Sequence, residues 1–438
     1  MEQTYPKVLV LTRNAWNNNN CTGNTLSSFF ASWPKERIAN AFFRAEKISN
    51  TICTDYYRVT EQEVLRHILN KNASLGREFT YSHADGDDIP EQNDNDIRRN
   101  AKLYSFFSRN RWNLAIWARD ILWAAGNRKN KSFDSFLERI QPDVIYMPCY
   151  DSAYMHRILR HAAEKTGARV VLFTGDDTYT FRQISFSPLF WINRFINRAV
   201  MRRSVRLADT LFVVSELQKE EYRKYFGDKC VLLHKGAEFN GFSPKEPSDP
   251  IKIVYTGNIS SGRWKTIAAL SRAIGEINRG KTRVTLDVYS LSARSEKMVR
   301  EMSSGKGVSL MPPASSAQIQ SALKDADLLL FVEPFGLRDS LKWRLSFSTK
   351  LTDYLASSRA ILAAGPEKLA SMSFLRENDA AICVNDISQL GEKLGCIVDD
   401  PSCLLEYAEK AYLCGSEKCT AEVTQNTVYK YLSGENYD

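Results

Sequence analysis

Ile251–Lys265 runs Ile-Lys-Ile-Val-Tyr-Thr-Gly-Asn-Ile-Ser-Ser-Gly-Arg-Trp-Lys. Its first six residues form a short apolar, β-branched run, which predicts a buried strand. Gly257 ends the run, a loop of small residues follows, and Thr266–Ile277 has the pattern of a helix. Strand, glycine turn and helix make the βα unit of a parallel sheet. Such a turn aims backbone N–H groups and a helix N-terminus at whatever lies above the strand. Arg263 and Lys265 stand at that helix start, where cations oppose the helix dipole, and an anionic ligand would offset the cost. An ordinary βα turn with two solvated cations is the competing reading. No GxGxxG fingerprint is present, which disfavours a dinucleotide dehydrogenase.

The alternation extends in both directions. Downstream, Val284–Tyr289, Leu328–Val332, Ala360–Ala363 and Ala381–Val384 predict strands, and Lys350–Ala356 a helix. Upstream, Lys7–Thr12, Asp143–Met147, Arg169–Phe173, Leu211–Val214 and Val231–Leu233 predict strands. Phe133–Ile140 and Tyr154–Lys165 predict helices, the second closed by Gly167. Between the halves, Gly236–Pro250 holds three Pro and two Gly in 15 residues and is expected to be the hinge. Two α/β domains of similar size follow. Ligands of open α/β sheets sit beyond the carboxyl ends of the strands, so a shared ligand belongs in the cleft between them.

The 438-residue chain is 43% hydrophobic and 25% charged, which excludes global disorder. No apolar run approaches the roughly 20 residues needed to span a bilayer. The N-terminus lacks the basic head of a secretory leader. Nine scattered Cys without a CxxC pair argue against a zinc site or a disulfide framework and fit reduced thiols in a cytoplasm. A net charge of +8 permits an anionic partner without identifying one.

A second stretch, Ser346–Pro366, carries a helix start. Ser348 or Thr349 can cap a helix from Lys350, and hydroxyls with free N–H groups there would cradle a phosphate. Asp353 lies one turn in, where a carboxylate could accept both hydroxyls of a ribose. Complementing the helix dipole is its bland alternative. Tyr255–Thr266 and then Phe347–Ser357, in this order, resemble GT-B glycosyltransferases of family 4 type, those that build bacterial capsule, exopolysaccharide or O-antigen. The resemblance covers the C-terminal half well and the N-terminal half only in topology. It implies two Rossmann-like domains facing a central cleft, the GT-B arrangement. Domain limits of 1–240 and 241–415 are expected, with 416–438 crossing back to the first domain.

The resemblance also implies roles. Gly257 would let the donor diphosphate approach the backbone, and Arg263 would bind it. Asn258 stands where many members carry Arg. Ser348, Thr349 and Lys350 match the phosphate-cradling helix start, and Asp353 the ribose-holding carboxylate. Glu333 looks like the start of an E-x7-E motif and would touch the donor sugar, but position 341 is Leu: either Arg338–Phe347 is an insertion or Glu333 is a chance match. Retention of configuration is implied, and no cofactor beyond a UDP- or GDP-type sugar donor. Fixed cations can stabilise the departing diphosphate, so a metal is not expected. Asp85-Gly86-Asp87, Asp94-Asn95-Asp96 and Asp325-Ala326-Asp327 are the Asp-x-Asp pairs present, the first two in a polar loop, Asp85–Asp96.

In the N-terminal half, Asp176 and Asp177 follow a predicted strand and could orient an acceptor hydroxyl or act as base. A turn or helix cap is the alternative. Gly23 and Asn24, in the polar stretch Arg13–Thr25, are expected in a loop closing over donor or acceptor. His156 and His234 are expected to be structural. Phe186–Leu207 holds five Arg and no acid. Arg194, Arg198, Arg202 and Arg206 recur every four residues beside Trp191 and Phe195. That suits a helix on an anionic membrane surface, or one packing its apolar side on the sheet. The leading reading is therefore a transferase using a saccharide or polyprenyl-linked acceptor, on the inner face of the plasma membrane, with no nucleic-acid partner. A sugar-nucleotide epimerase, and a non-catalytic basic protein binding anionic lipid or nucleic acid, stay open as alternatives.

Overall fold

The computed structural model describes residues 4–17, 21–46, 48, 52–80, 113–126 and 130–435. The acidic stretch Asp85–Asp96, with its two Asp-x-Asp pairs, lies outside them. The first sheet has β1 (Val8–Thr12), β2 (Ile38–Phe42), β3 (Asp55–Arg58), β4 (Arg77–Thr80), β5 (Val144–Pro148), β6 (Arg169–Thr174), β7 (Thr210–Val213) and β8 (Cys230–Leu232). Their order is β4-β3-β2-β1-β5-β6-β7-β8, parallel except for the antiparallel pair β3–β4. The second has β9 (Ile251–Thr256), β10 (Val284–Tyr289), β11 (Val308–Leu310), β12 (Leu328–Val332), β13 (Ala360–Ala364) and β14 (Ile382–Val384). It runs β11-β10-β9-β12-β13-β14, all parallel.

Both sheets are covered on both faces, which is why their central strands are continuous apolar runs. On one face of the first sheet Leu9, Leu11 and Ile145 meet Phe133 and Phe136; on the other Val8, Val10 and Tyr146 meet Trp16 and Phe30. Four strands escape the sequence pattern. In β2 the apolar run is broken by Asn40, buried because its amide donates to Val10 O at 2.9 Å and Thr12 Oγ1 at 3.0 Å. Of the other three, β4 and β11 are short edge strands, where less apolar surface is needed, and β3 is a buried four-residue strand whose two Tyr are flanked by Asp55 and Arg58.

Strand order reverses beside the first strand of each sheet. In the first sheet β1 lies between β2 and β5; in the second, β9 lies between β10 and β12. Loops leaving the carboxyl ends diverge at such switch points and open a crevice for ligands. After the second sheet, the helix Cys403–Lys418 packs Ala411 and Cys414 against it. The last helix, Ala421–Ser433, returns to the first sheet and buries Val428 and Leu432 beside Val8 and Phe30.

His156 locks the first lobe. Its Nε2 donates to Tyr150 O and its Nδ1 accepts from Ser204 Oγ, both at 2.9 Å. Burial pushes this ring, and that of His234, down to about 4. Their folded pKa values lie below the unfolded value of 6.5, so the unfolded chain binds more protons once pH drops below that value. Stability is therefore fully present above the unfolded pKa and falls as pH drops toward 4, by at most about 1.4 kcal/mol per pH unit for each ring. Melting temperatures recorded from pH 7.5 to 5 should decline steadily; a flat profile would contradict neutral buried rings.

Candidate active site

The two switch points face each other across a cavity of about 620 Å³, lined by Arg13, Tyr150 and Asp176 from the first lobe and by Asn258, Arg263, Glu333 and Lys350 from the second. Arg263 opens the helix Arg263–Ile277. Its Nη2 meets Glu333 Oε2 at 2.6 Å, its Nε donates to Val332 O at 3.2 Å, and its guanidinium lies 5.1 Å from the Trp343 ring centre. Glu333 is buried just past β12; burial raises its pKa, against the pull of Arg263 and Lys350.

Gly257 has φ 142°, and a Cβ there would lie 2.0 Å from Lys350 Nζ. The bare backbone of this glycine is thus filled by an ammonium. The turn also keeps its amides. Gly257 N donates to Tyr289 O at 2.9 Å, Trp264 N to Ile259 O at 3.1 Å and Lys265 N to Gly262 O at 3.0 Å. Of the free amides expected at this βα turn, these are therefore engaged, by Tyr289 of β10 and by carbonyls of the turn, and Arg263 and Lys350 add positive potential beside them. Asn258 lines the cavity but spends its Oδ1 on Ser260 N at 2.7 Å and Ser292 Oγ at 2.9 Å, so it braces the turn.

Ser348, Thr349 and Lys350 also line the cavity, at the start of the helix Thr349–Leu355. Asp353, one turn on, accepts from Lys235 Nζ at 3.0 and 3.2 Å, and Lys235 is itself a cavity residue from the segment after β8. Arg338–Phe347 is no passive insertion. It contains most of the helix Leu337–Trp343, then buries Leu345 in the core of the first lobe. Ser346 Oγ donates to Asp176 Oδ1 at 2.9 Å, and Ser215 Oγ to Leu345 O at 2.7 Å, so this segment ties the lobes together at the cavity.

The two acids after β6 separate. Asp176 faces the cavity. Asp177 is buried away from it: Oδ1 accepts from Thr180 N at 2.8 Å and Tyr179 N at 3.1 Å, and Oδ2 from Thr180 Oγ1. A side chain so used fixes its own turn, which corrects its candidacy as a base. Gly23 and Asn24 lie in the first turn of the helix Cys21–Phe29, not in a loop. Gly23 packs against Asn17 O, and Asn24 is exposed outside the cavity lining.

No family model and no curated protein matches the chain. Solved structures do. HepE of Anabaena, crystallised with UDP, is similar at TM-score 0.61 and 12% identity over 98% of this chain and 100% of that one. Sucrose-phosphate synthase of Thermosynechococcus elongatus has TM-score 0.60 at 12% identity, over 98% and 100%. A UDP-forming trehalose-phosphate synthase of Burkholderia vietnamiensis has 0.58 at 11%, over 98% and 100%. The fold is GT-B.

Within the GT-B frame three members of the arginine stripe bond to the loop after β6, and Arg202 and Arg206 stay exposed. Arg194 is buried and donates to Asp177 O at 3.1 Å; Arg198 donates to Tyr179 O and lies 4.1 Å from the Tyr179 and Phe181 ring centres; Arg202 donates to Tyr179 OH at 3.0 and 2.9 Å. Trp191 donates to Ser185 O at 2.9 Å. A period of four locates one face of a helix without saying whether that face is wet. Here the loop Asp177–Phe181 supplies the carbonyls and rings that take up the guanidiniums.

The remaining Asp-x-Asp pair is occupied too: Asp327 is buried, accepts Lys252 N at 2.7 Å and pairs with Lys245. Among the described residues, no group of three or more His, Cys, Asp or Glu converges as a metal site would need, and no helix is long and apolar enough to cross a membrane. A larger recess at the opposite edge of the first GT-B lobe includes Asp143 and Arg169. It lies at the amino ends of strands, and these side chains are already bonded to Lys7 N and Leu432 O. The roles of Arg13, Tyr150 and Lys235 were not read from the sequence; Arg13 directly follows β1 and Tyr150 lies two residues past β5, and the switch-point rule would have found these two.

Proposed function

We propose that this chain is a hexosyltransferase that moves a sugar from a UDP- or GDP-type nucleoside diphosphate to a saccharide or polyprenyl-linked saccharide in surface-polysaccharide synthesis, with retention of configuration and without a metal. Residues 1–240 form the acceptor side, 241–415 the donor side, and 416–438 return to the first. The observation carrying the reading is that Arg263, Lys350 and Glu333 meet at the second switch point, facing the other lobe. As the glycosidic bond breaks, negative charge grows on the leaving diphosphate, and Arg263 and Lys350 stabilise it where it develops. A diphosphate that takes Arg263 frees Glu333 for the donor sugar. Asp353 holds the ribose, Ser348 and Thr349 lie against the phosphates, and Asp176 takes the acceptor proton. UDP in the similar HepE structure supports the donor class. Saturable binding of labelled UDP- or GDP-sugar, lost in Asp353→Ala, is the expected result; no binding of any nucleotide would overturn the reading.

The same reading places the protein peripherally on the cytoplasmic face of the plasma membrane. Support comes from what stays exposed on Pro188–Leu207: Ile192, Phe195 and Ile196 toward one end, Arg202, Arg203 and Arg206 beside Leu207 toward the other, with Phe186 beside the helix start. Apolar groups at one end and cations at the other suit the boundary of an anionic bilayer. Ile192→Ser with Phe195→Ser removes two apolar anchors worth about 1.5–3 kcal/mol each when fully buried. Co-sedimentation with anionic vesicles should drop at least tenfold; unchanged partitioning would refute the membrane face.

A further inference from the structure

We infer that the first lobe carries a subsite for an anionic group on the acceptor, centred on the guanidinium of Arg13. The inference rests on the transferase reading for the word acceptor, but its physical basis is separate. Arg13 directly follows β1, at the first switch point, and lines the cavity opposite Arg263. Its Nε is buried without a partner, and no side-chain N–H of Arg13 has an acceptor among the described residues. The backbone N is engaged instead, with Tyr150 OH at 3.2 Å, while the Tyr150 ring centre lies 5.4 Å from the guanidinium.

The acids nearby do not neutralise it. Glu46 and Asp151 are close enough to be felt, but neither forms an ion pair with Arg13. Glu46 is committed to Ala15 N at 3.2 Å and Arg44 at 3.7 Å. The contrast with the rest of the cavity is sharp: Arg263 is matched by Glu333 and Lys235 by Asp353. Nε is buried without an acceptor, and the rest of the guanidinium has no ion pair among the described residues, so an entering anion would find an unmatched fork. The planar fork of a guanidinium suits the paired oxygens of a phosphate or carboxylate. Thr22, Thr25 and Tyr150 bring hydroxyls to the same end of the cavity. The donor diphosphate already has Arg263 and Lys350 on the other lobe, which leaves Arg13 for the acceptor.

The test uses the full chain, with and without saturating UDP, and ligand-observed NMR titrations of four probes. Glucose 6-phosphate carries a phosphate ester, glucuronate a carboxylate, farnesyl diphosphate a lipid-linked diphosphate, and glucose no charge. At least one anionic probe should bind about tenfold more tightly than glucose, the scale of one charge-assisted contact. Arg13→Gln should abolish that advantage, Arg13→Lys should keep part of it, and UDP affinity should change by less than about twofold in both. Which probe wins tells a sugar phosphate, a uronate and a lipid diphosphate apart. Glucose binding as well as all three, or an advantage that survives Arg13→Gln, would overturn the subsite. A UDP affinity that falls with Arg13→Gln would move the residue to the donor and also overturn it. If the wild-type protein ignores UDP, the transferase reading falls, while the titrations without UDP still decide whether Arg13 holds an anion.

Discussion

Arg263→Ala should weaken UDP binding about 10- to 100-fold and lower stability as well. The first effect is the loss of one charge-assisted contact, worth about 1.5–3 kcal/mol. The second has a different origin. Removing the guanidinium leaves Glu333 buried with only the more distant Lys350 for compensation, and breaking a buried pair in this way typically costs about 3–5 kcal/mol. Burial already raises the pKa of Glu333, and without Arg263 it should rise further. A carboxyl whose folded pKa exceeds its unfolded value makes stability fall as pH rises, so the deficit of the variant should be larger at pH 8 than at pH 5. Arg263→Ala combined with Glu333→Gln removes the stranded charge; its melting temperature should recover while UDP affinity stays low. Calorimetric melts and UDP titrations of the two variants separate the effects. UDP affinity within about twofold of wild type in Arg263→Ala would remove this residue from the diphosphate site.

The second lobe was legible because its strands are apolar-rich, β12 as a continuous run and β10 by alternation: β9, β10 and β12 have the limits read from the residues alone. The first lobe was less so. Asn40 interrupts β2, and β4 is a polar edge strand. Side-chain roles were harder still, for one physical reason. A sequence shows which groups are charged but not which distant group answers them. Asp353 was read as a ribose acceptor, and nothing local hinted at Lys235, 118 residues away, which now holds it. Asp176 and Asp177 are adjacent and chemically alike, yet one meets Ser346 across the cleft while the other caps its own turn. The arginine stripe belongs to the same class: its period was right, and the loop that takes up Arg194, Arg198 and Arg202 was invisible. Arg13 shows the converse. Its position after β1 was legible; that its Nε finds no acceptor among the described residues could only be seen once the fold had placed the nearby acids Glu46 and Asp151.

Gly257→Ala tests what this glycine is for. Two consequences are expected, and they separate by background. A φ of 142° is strained for any residue with a Cβ, so the substitution should lower stability by about 1–3 kcal/mol wherever it is made. The steric effect is different. The added Cβ would meet Lys350 Nζ, the far end of a flexible side chain, and the ammonium is expected to move aside from its place by the Tyr255 ring. That movement takes a cation from the diphosphate site, and UDP affinity should fall at least tenfold, as for the loss of one charge-assisted hydrogen bond. In a Lys350→Ala background there is no ammonium to displace. Gly257→Ala should then leave UDP affinity unchanged beyond the loss already caused by Lys350→Ala, while the drop in melting temperature persists. A glycine that touched the diphosphate directly would behave otherwise: Gly257→Ala would weaken UDP equally in both backgrounds, and the space beside this backbone would belong to the donor, not to the lysine that fills it here.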